Sequence, residues 1–319
     1  MTARIIMKMN VSAVRDVTDA VRMYTFRHPR RVHLPAPLPG AHVDLRLPNG
    51  LTRQYSLCGD PDEDAVYRIA VKREDGGRGG SRWIHENVRL GSTVPVSAPR
   101  NNFPLAAEAQ RHVFIAGGIG ITPMLPMARQ LARRGVSFHL HYCAHQLQSA
   151  PFLSELSEIC GPRQLSTYFG DGRSGKTGRL NVQQTIKSLA PGTHVYCCGP
   201  QRLTLAVREA TANWPESFRH FEVFKPTVDE NFVPEPFDVK LASTGEIIRV
   251  SANKSALEVL RARGLGLPSS CELGVCGACE CRYLDGFVIH RDSVLDITAR
   301  QDRMMLCVSR ARGSVTLDL

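Results

Sequence analysis

The chain has 319 residues, 43% of them hydrophobic and 22% charged, a balance suited to two or three soluble globular domains. Its formal charge of +10 is diffuse: from Phe237 onward 11 Lys and Arg face 10 Asp and Glu, so nearly all the excess lies earlier, in singles and pairs such as Arg30–Arg31. No basic run interleaves with aromatics, which disfavours a nucleic-acid groove. The first residues lack a signal-peptide core and no window reaches a membrane span, so a cytoplasmic protein is expected.

Up to about residue 106 the pattern is one of short strands. In AHVDLRLP, Val43, Leu45 and Leu47 alternate with His42, Asp44 and Arg46, predicting a half-buried strand. TRQYSLC, YRIAVKR and STVPVSAP are further strands between Gly, Pro and Asp turns, as in a β-barrel or sandwich. RQYSL sets Arg53, Tyr55 and Ser56 on one strand. GRGGSRW presents Gly79, Gly80 and Ser81 ahead of a predicted helix, a possible anion cradle. Taken singly, each is as readily an ordinary strand or turn.

From about 107 to 224 the rhythm becomes strand, helix, strand, helix, the mark of a doubly wound sheet with ligands at the carboxyl ends of its strands. HVFIAG is a strand and GGIG a tight turn, after which Thr122 is predicted as N-cap and Pro123 as the first helical residue. The helix through MLPMARQLARR should stop at Gly135. GGIGITP departs from the dinucleotide fingerprint by a proline, but its place between strand and helix suits a pyrophosphate. VYCCGP ends a later strand and brings Cys198 to the same edge, where a buried structural thiol is the plain alternative.

GDGRSGKTG, residues 170–178, spells an ATP-binding phosphate loop. That loop needs a helix starting at its Lys-Thr, whereas here Gly178 and Arg179 follow and the next helical stretch begins near Asn181. It is read as a coincidence of letters.

KPTVDENFVPEP, residues 225–236, is a polar, proline-containing linker. A hairpin (FDVKLASTGEIIRV), a short helix (SALEVLRAR), a cysteine-rich loop and a final strand ending VTLDL follow. Cys271, Cys276, Cys279 and Cys307 have the C-x4-C-x2-C spacing plus a distant fourth cysteine that holds a plant-type [2Fe–2S] cluster. Gly274 and Gly277 let the loop bend so that N–H groups face the sulfurs. Structural zinc uses two short-spaced pairs, and Cys307 has no near partner. Cys281 is read as a packed or surface thiol.

Taken in order, RQYSL, GRGGS, GGIGITPM, YCCGP, FEVF and CELGVCGAC…C make the whole chain resemble the phthalate dioxygenase reductase family. The resemblance implies an antiparallel β-barrel flavin domain (1–106), an α/β doubly wound nicotinamide domain (107–224), a linker (225–236) and an α+β β-grasp ferredoxin domain (237–319). It implies that Arg53, Tyr55 and Ser56 hold the flavin, with Gly79, Gly80 and Ser81 completing the phosphate site and Lys72 among the cofactor-binding positions. Gly118, Gly120, Thr122 and Pro123 would line the nucleotide channel, Cys198, Gly199 and Pro200 would lie near the nicotinamide, and Glu222 and Phe224 would cover the flavin ring. FMN is expected over FAD, because nothing evident would hold an adenine.

Asp171 accepting from a ribose 2′-hydroxyl favours NADH, the family's usual donor, whereas Arg173 and Lys176 on a 2′-phosphate would favour NADPH. The implied activity is an NADH-dependent reductase that takes a hydride onto FMN and delivers single electrons through the cluster to a Rieske-type aromatic oxygenase. No catalytic side chain is expected beyond the cofactors. A redox-sensing iron–sulfur flavoprotein, a reductase for another acceptor and an ATP-driven protein are the competing readings.

Overall fold

The computed structural model describes residues 5–170, 178–225 and 232–319, which divide into two compact units, 1–222 and 223–319. The first unit opens with β1 (Ile6–Thr18), β2 (Val21–Arg27), β3 (His42–Arg46), β4 (Thr52–Ser56), β5 (Tyr67–Lys72), helix α1 (Gly80–Asn87) and β6 (Thr93–Ser97). The six strands form one antiparallel sheet in the order β4-β3-β6-β1-β2-β5. A bridge between Leu57 and Ile69 joins its two edges, so the sheet curls into a barrel. Met9, Tyr24, Phe26, Val43, Leu45, Tyr67 and Ile69 fill the interior.

The predicted alternation in β3 is only half right. Val43 and Leu45 are buried as expected, but His42 and Asp44 are buried too, at 2% and 3% exposure. Arg100 covers that face, its Nη2 donating to Asp44 at 2.8 Å, while the Asp44 N–H reaches Ser97 Oγ at 2.9 Å. The polar residues are paired rather than solvated.

The same unit continues with β7 (Arg111–Gly117), α2 (Met124–Arg133), β8 (Ser137–Ala144), α3 (Leu153–Ile159), β9 (Leu165–Phe169), α4 (Val182–Lys187), β10 (Thr193–Cys198), α5 (Gln201–Ala210) and β11 (Arg219–Glu222). All five strands are parallel in the order β11-β10-β7-β8-β9, so the chain starts in the middle and winds outward both ways. The order reverses between β7 and β10, the position where such sheets bind ligands. Helices α4 and α5 cover the face of Val113, Ile115, Val195 and Cys197. α2 ends before Gly135, whose φ of 64° fits the predicted C-terminal cap.

The predicted start of α2 is corrected. A 3-10 turn occupies Gly118–Ile121, α2 begins at Met124, and the Thr122 hydroxyl donates to the Ile119 carbonyl at 3.0 Å instead of capping the helix. The hydroxyl satisfies the preceding turn because the chain is already helical at Thr122.

The second unit contains β12 (Phe237–Leu241), β13 (Ile247–Val250), α6 (Ala256–Ala262), β14 (Glu280–Ile289), β15 (Arg303–Met305) and β16 (Arg310–Leu317). Its mixed sheet runs β13-β12-β16-β14-β15, with β12 and β16 parallel and the other pairs antiparallel. Ala256, Leu257 and Leu260 of α6 pack into its core. A reciprocal capping box between Ser255 and Glu258 starts that helix. Among the described residues no helix is long and apolar enough to cross a membrane.

A stack of rings joins β7, β10 and β11: His220 lies flat on Tyr196 with centroids 4.2 Å apart and meets His194 across a 3.0 Å nitrogen contact. Burial, then the neighbouring His194 and His112, pushes His220 down from 6.5 to about 4. The unfolded chain therefore takes up this proton first. Stability from this group is full above pH 6.5 and declines as pH falls toward 4. Replacing His220 with Phe keeps the stacking and should flatten the decline in melting temperature between pH 6.5 and 4, measured by circular dichroism.

Candidate functional site

On the barrel, the structure brings Arg53 and the glycine-rich turn together. Arg53 Nη2 donates to the Arg78 carbonyl at 2.7 Å and Nη1 to Thr52 O at 2.9 Å. Gly80 makes room for this side chain: a Cβ there would stand 2.3 Å from Arg53 Nε. Gly79 has a φ of 74°, which glycine alone adopts cheaply, and α1 starts immediately after it. The first N–H groups of α1 have no intrahelical partner, so a guanidinium and a helix start converge on one place that suits a phosphate. Ser81 Oγ accepts from the Glu74 N–H at 3.1 Å and pins the turn to the end of β5. Tyr55 packs against the barrel core, and burial raises its phenol.

On the parallel sheet, the ends of β7 and β10 approach as closely as backbones can. A Cβ on Gly120 would lie 2.2 Å from the Cys198 carbonyl oxygen, and one on Gly199 would lie 2.9 Å from Gly117 Cα. Gly118, with φ at 54°, faces open space instead. A cleft of about 530 Å³ opens here, lined by Gly117, Gly118, Cys143 and Pro200 and, from the barrel, by Lys72 and the Thr18–Val21 hairpin. Lys72 also pairs with Glu74 at 2.9 Å. Thr122 and Pro123 are buried behind the turn and do not line this cleft.

Between these two places three polar side chains meet. The Ser56 hydroxyl donates to Glu222 Oε2 at 3.1 Å, and Cys198 Sγ lies 4.0 Å from the same oxygen. Cys198 and Glu222 are paired residues of β10 and β11, so the sheet sets them side by side. Burial lifts the Glu222 carboxyl to about 8, and the Ser56 hydrogen bond only partly opposes it. Burial first, then the Glu222 charge, raises the Cys198 thiol. Sequence reading placed these residues separately. Their meeting depends on a contact spanning 166 positions, for which the local pattern holds no signal. Phe224 lies two residues past β11, half-buried at the start of the second unit. Asp171, Arg173 and Lys176 lie outside the described residues.

In the second unit the four cysteines associate as two pairs. Cys271 interacts with Cys276, whose sulfur accepts from the Cys271 N–H at 3.4 Å, and Cys279 with Cys307. The Cys276 thiol, helped by the N–H groups of Leu273 and Val275, holds the Cys271 thiol below its usual range. Gly274 and Gly277 have φ of 71° and 72°, as the bent loop was expected to require. Among the described residues no three such side chains are arranged around a single metal ion. Two thiols per iron is the division a two-iron cluster needs, so the set fits that cluster better than a lone ion. Cys281 is buried in the core of the second unit, its thiol donating to the Arg282 carbonyl at 3.3 Å.

Comparison with known proteins adds three domain matches in chain order: an oxidoreductase FAD-binding domain at residues 8–104, an oxidoreductase NAD-binding domain at 114–209, and a 2Fe-2S iron-sulfur cluster binding domain at 239–312. The phthalate dioxygenase reductase of Burkholderia cepacia is 38% identical over 315 residues, covering 98% of this chain and 97% of that protein. The chain belongs to the phthalate dioxygenase reductase family. It is an oxidoreductase with flavin, nicotinamide-nucleotide and [2Fe–2S] domains.

The solved phthalate dioxygenase reductase structure agrees with a TM-score of 0.74 at 37% identity, over 99% of this chain and 98% of that one. The heme-dependent oxidative N-demethylase beta subunit of Ectopseudomonas mendocina is 40% identical over 317 residues, 98% of this chain and 99% of that protein. A type IV self-sufficient cytochrome P450 monooxygenase structure matches with a TM-score of 0.87 at 39% identity over 99% of this chain, which spans 41% of that longer protein.

The glycines at the strand ends differ in a testable way. Gly120→Ala should destabilise the first unit by about 2 kcal/mol through overpacking against Cys198 and abolish nucleotide binding. Gly118→Ala, strained only in its backbone, should cost about 1 kcal/mol. Melting curves and nucleotide titrations of the two variants check this order.

Proposed function

We propose that this reductase uses NADH and FMN and passes electrons to a Rieske-type aromatic oxygenase. In this reading residues 1–106 hold the flavin, 107–224 the nucleotide and 237–319 the cluster. The observation that carries it is the meeting of Ser56, Cys198 and Glu222, where the flavin strand and the nucleotide sheet share one buried polar contact. Arg53, Gly79, Gly80 and Ser81 hold the flavin phosphate, and Tyr55 and Ser56 its ring. The single compact phosphate cradle favours FMN over FAD. Gly118, Gly120, Cys198, Gly199 and Pro200 receive the nicotinamide end, with Thr122 and Pro123 supporting the turn from behind. Glu222 covers the flavin ring. The acidic residue type at position 171 of the sequence supports NADH over NADPH.

When bound, the flavin accepts a hydride from the nicotinamide and releases electrons singly to the [2Fe–2S] cluster. The chain's own part is to orient and shield. With its carboxyl lifted to about 8, Glu222 keeps its proton at neutral pH and presents no buried negative charge beside the flavin. Cys271, Cys276, Cys279 and Cys307 hold the irons. The oxygenase partner is supported by relatives named as reductase subunits, such as the phthalate 4,5-dioxygenase oxygenase reductase subunit of Pseudomonas putida, 40% identical over 98% of this chain.

Cys279→Ser separates the two halves of this activity. The variant should retain flavin and bleach with NADH at the wild-type rate in stopped flow, while reduction of a one-electron acceptor such as cytochrome c falls at least tenfold. Equal loss of both rates contradicts the proposed order of transfer.

A further inference from the structure

The second unit contains a charged network around one buried carboxylate that the cluster ligands do not account for. The segment joining β14 to β15 carries His290, Asp292 and Arg300. The Asp292 side chain is fully buried, and its Oδ2 accepts from the N–H groups of Val294 and Leu295 at 3.1 and 2.8 Å. That fixes a tight turn over 292–295. Arg300 Nη2 donates to the Asp292 carbonyl at 3.0 Å and lies 3.8 Å from its carboxylate, and His290 Nδ1 is 3.8 Å from Asp292 Oδ1.

This turn backs the cysteine loop at both of its left-handed glycines. The Ser293 N–H donates to the Gly274 carbonyl at 3.0 Å. A Cβ on Gly274 would lie 3.1 Å from Asp292 Cα, and one on Gly277 would lie 3.4 Å from Val294 Cγ1. The loop that carries Cys271, Cys276 and Cys279 therefore rests on the turn that the Asp292 carboxylate shapes.

The network is an expensive way to build a fold. His290 Nδ1, Asp292 Oδ1 and Arg300 Nε are all buried without a hydrogen-bond partner among the described residues. An asparagine, with the same acceptor oxygen and no charge, would hold the same turn without a desolvated carboxylate. Fixed charge beside a redox centre has a use that a neutral turn lacks, because cluster potential follows local charge and hydrogen bonding.

We propose that Asp292 is a positioning residue for the [2Fe–2S] cluster, bracing its loop and, with Arg300, setting its reduction potential. The proposal rests on the four cysteines being the cluster ligands, a reading tested separately by the cluster content of Cys279→Ser. Asp292→Asn keeps an acceptor oxygen for the turn and removes the charge, so the reduced cluster, the more negative form, becomes easier to reach and the midpoint potential rises. Arg300→Gln removes the opposite charge and lowers the potential.

The experiment is an anaerobic potentiometric titration of the full-length holoprotein variants followed by EPR. A full spin count in the reduced-cluster EPR signal serves as the check that the second unit is folded. Asp292→Ala should also lose iron to a chelator about tenfold faster than the wild type, as loss of an outer-shell partner does. Opposite shifts of potential for Asp292→Asn and Arg300→Gln support the proposal. A purely structural brace would shift both the same way or neither, and either result overturns it, as does a wild-type rate of iron loss in Asp292→Ala.

Discussion

The hydrogen bond from Ser56 to Glu222 is the constraint on which the first unit's chemistry depends. It joins the last residue of a barrel strand to the last residue of a sheet strand, two elements with separate cores. Because Glu222 pairs in register with Cys198, the bond also fixes the barrel against the sheet's switch point, where the connections after β7 and β10 lead off in opposite directions. Flavin and nicotinamide must meet face to face within a few tenths of an ångström of their reactive distance. A bond anchored on two strand ends holds that geometry more firmly than loops would. Burial keeps Glu222 protonated near neutrality, so the anchor needs no compensating cation.

The second constraint is the absence of side chains. At Gly80 it lets Arg53 lie against the start of α1, and at Gly117, Gly120 and Gly199 it lets backbones touch. These glycines stand out in the sequence because they interrupt apolar runs at strand ends, where only a bend or a close approach explains them. The strand HVFIAG was legible for a related reason: parallel strands covered by helices read as short apolar runs.

Part of what the sequence hid was non-local. The burial of His42 and Asp44 depends on Arg100, over fifty residues away, so an alternating pattern looked solvated when it was paired. Thr122 has the residue type of an N-cap, but a 3-10 turn upstream had already started the helical path and taken its hydroxyl. The Ser56–Glu222–Cys198 meeting requires the fold itself. The four-cysteine set was the most legible feature, since three of the four lie within nine residues and thiolate spacing is chemically specific. The His290–Asp292–Arg300 network behind them left no comparable mark, because buried charge and surface charge look alike in a sequence.

The two units divide the labour by the kind of electron they handle. In the proposed reading, paired electrons arrive where the barrel and the parallel sheet share the Ser56–Glu222 contact, and single electrons leave through the four cysteines. The most direct test is an anaerobic titration of the purified protein with NADH, and in parallel NADPH, followed by absorbance and low-temperature EPR. The account predicts that NADH bleaches the flavin band and brings up the rhombic signal of a reduced [2Fe–2S] cluster. Protein shown to contain both cofactors that neither nucleotide reduces would contradict it, and reduction by NADPH alone would overturn the assignment of the donor.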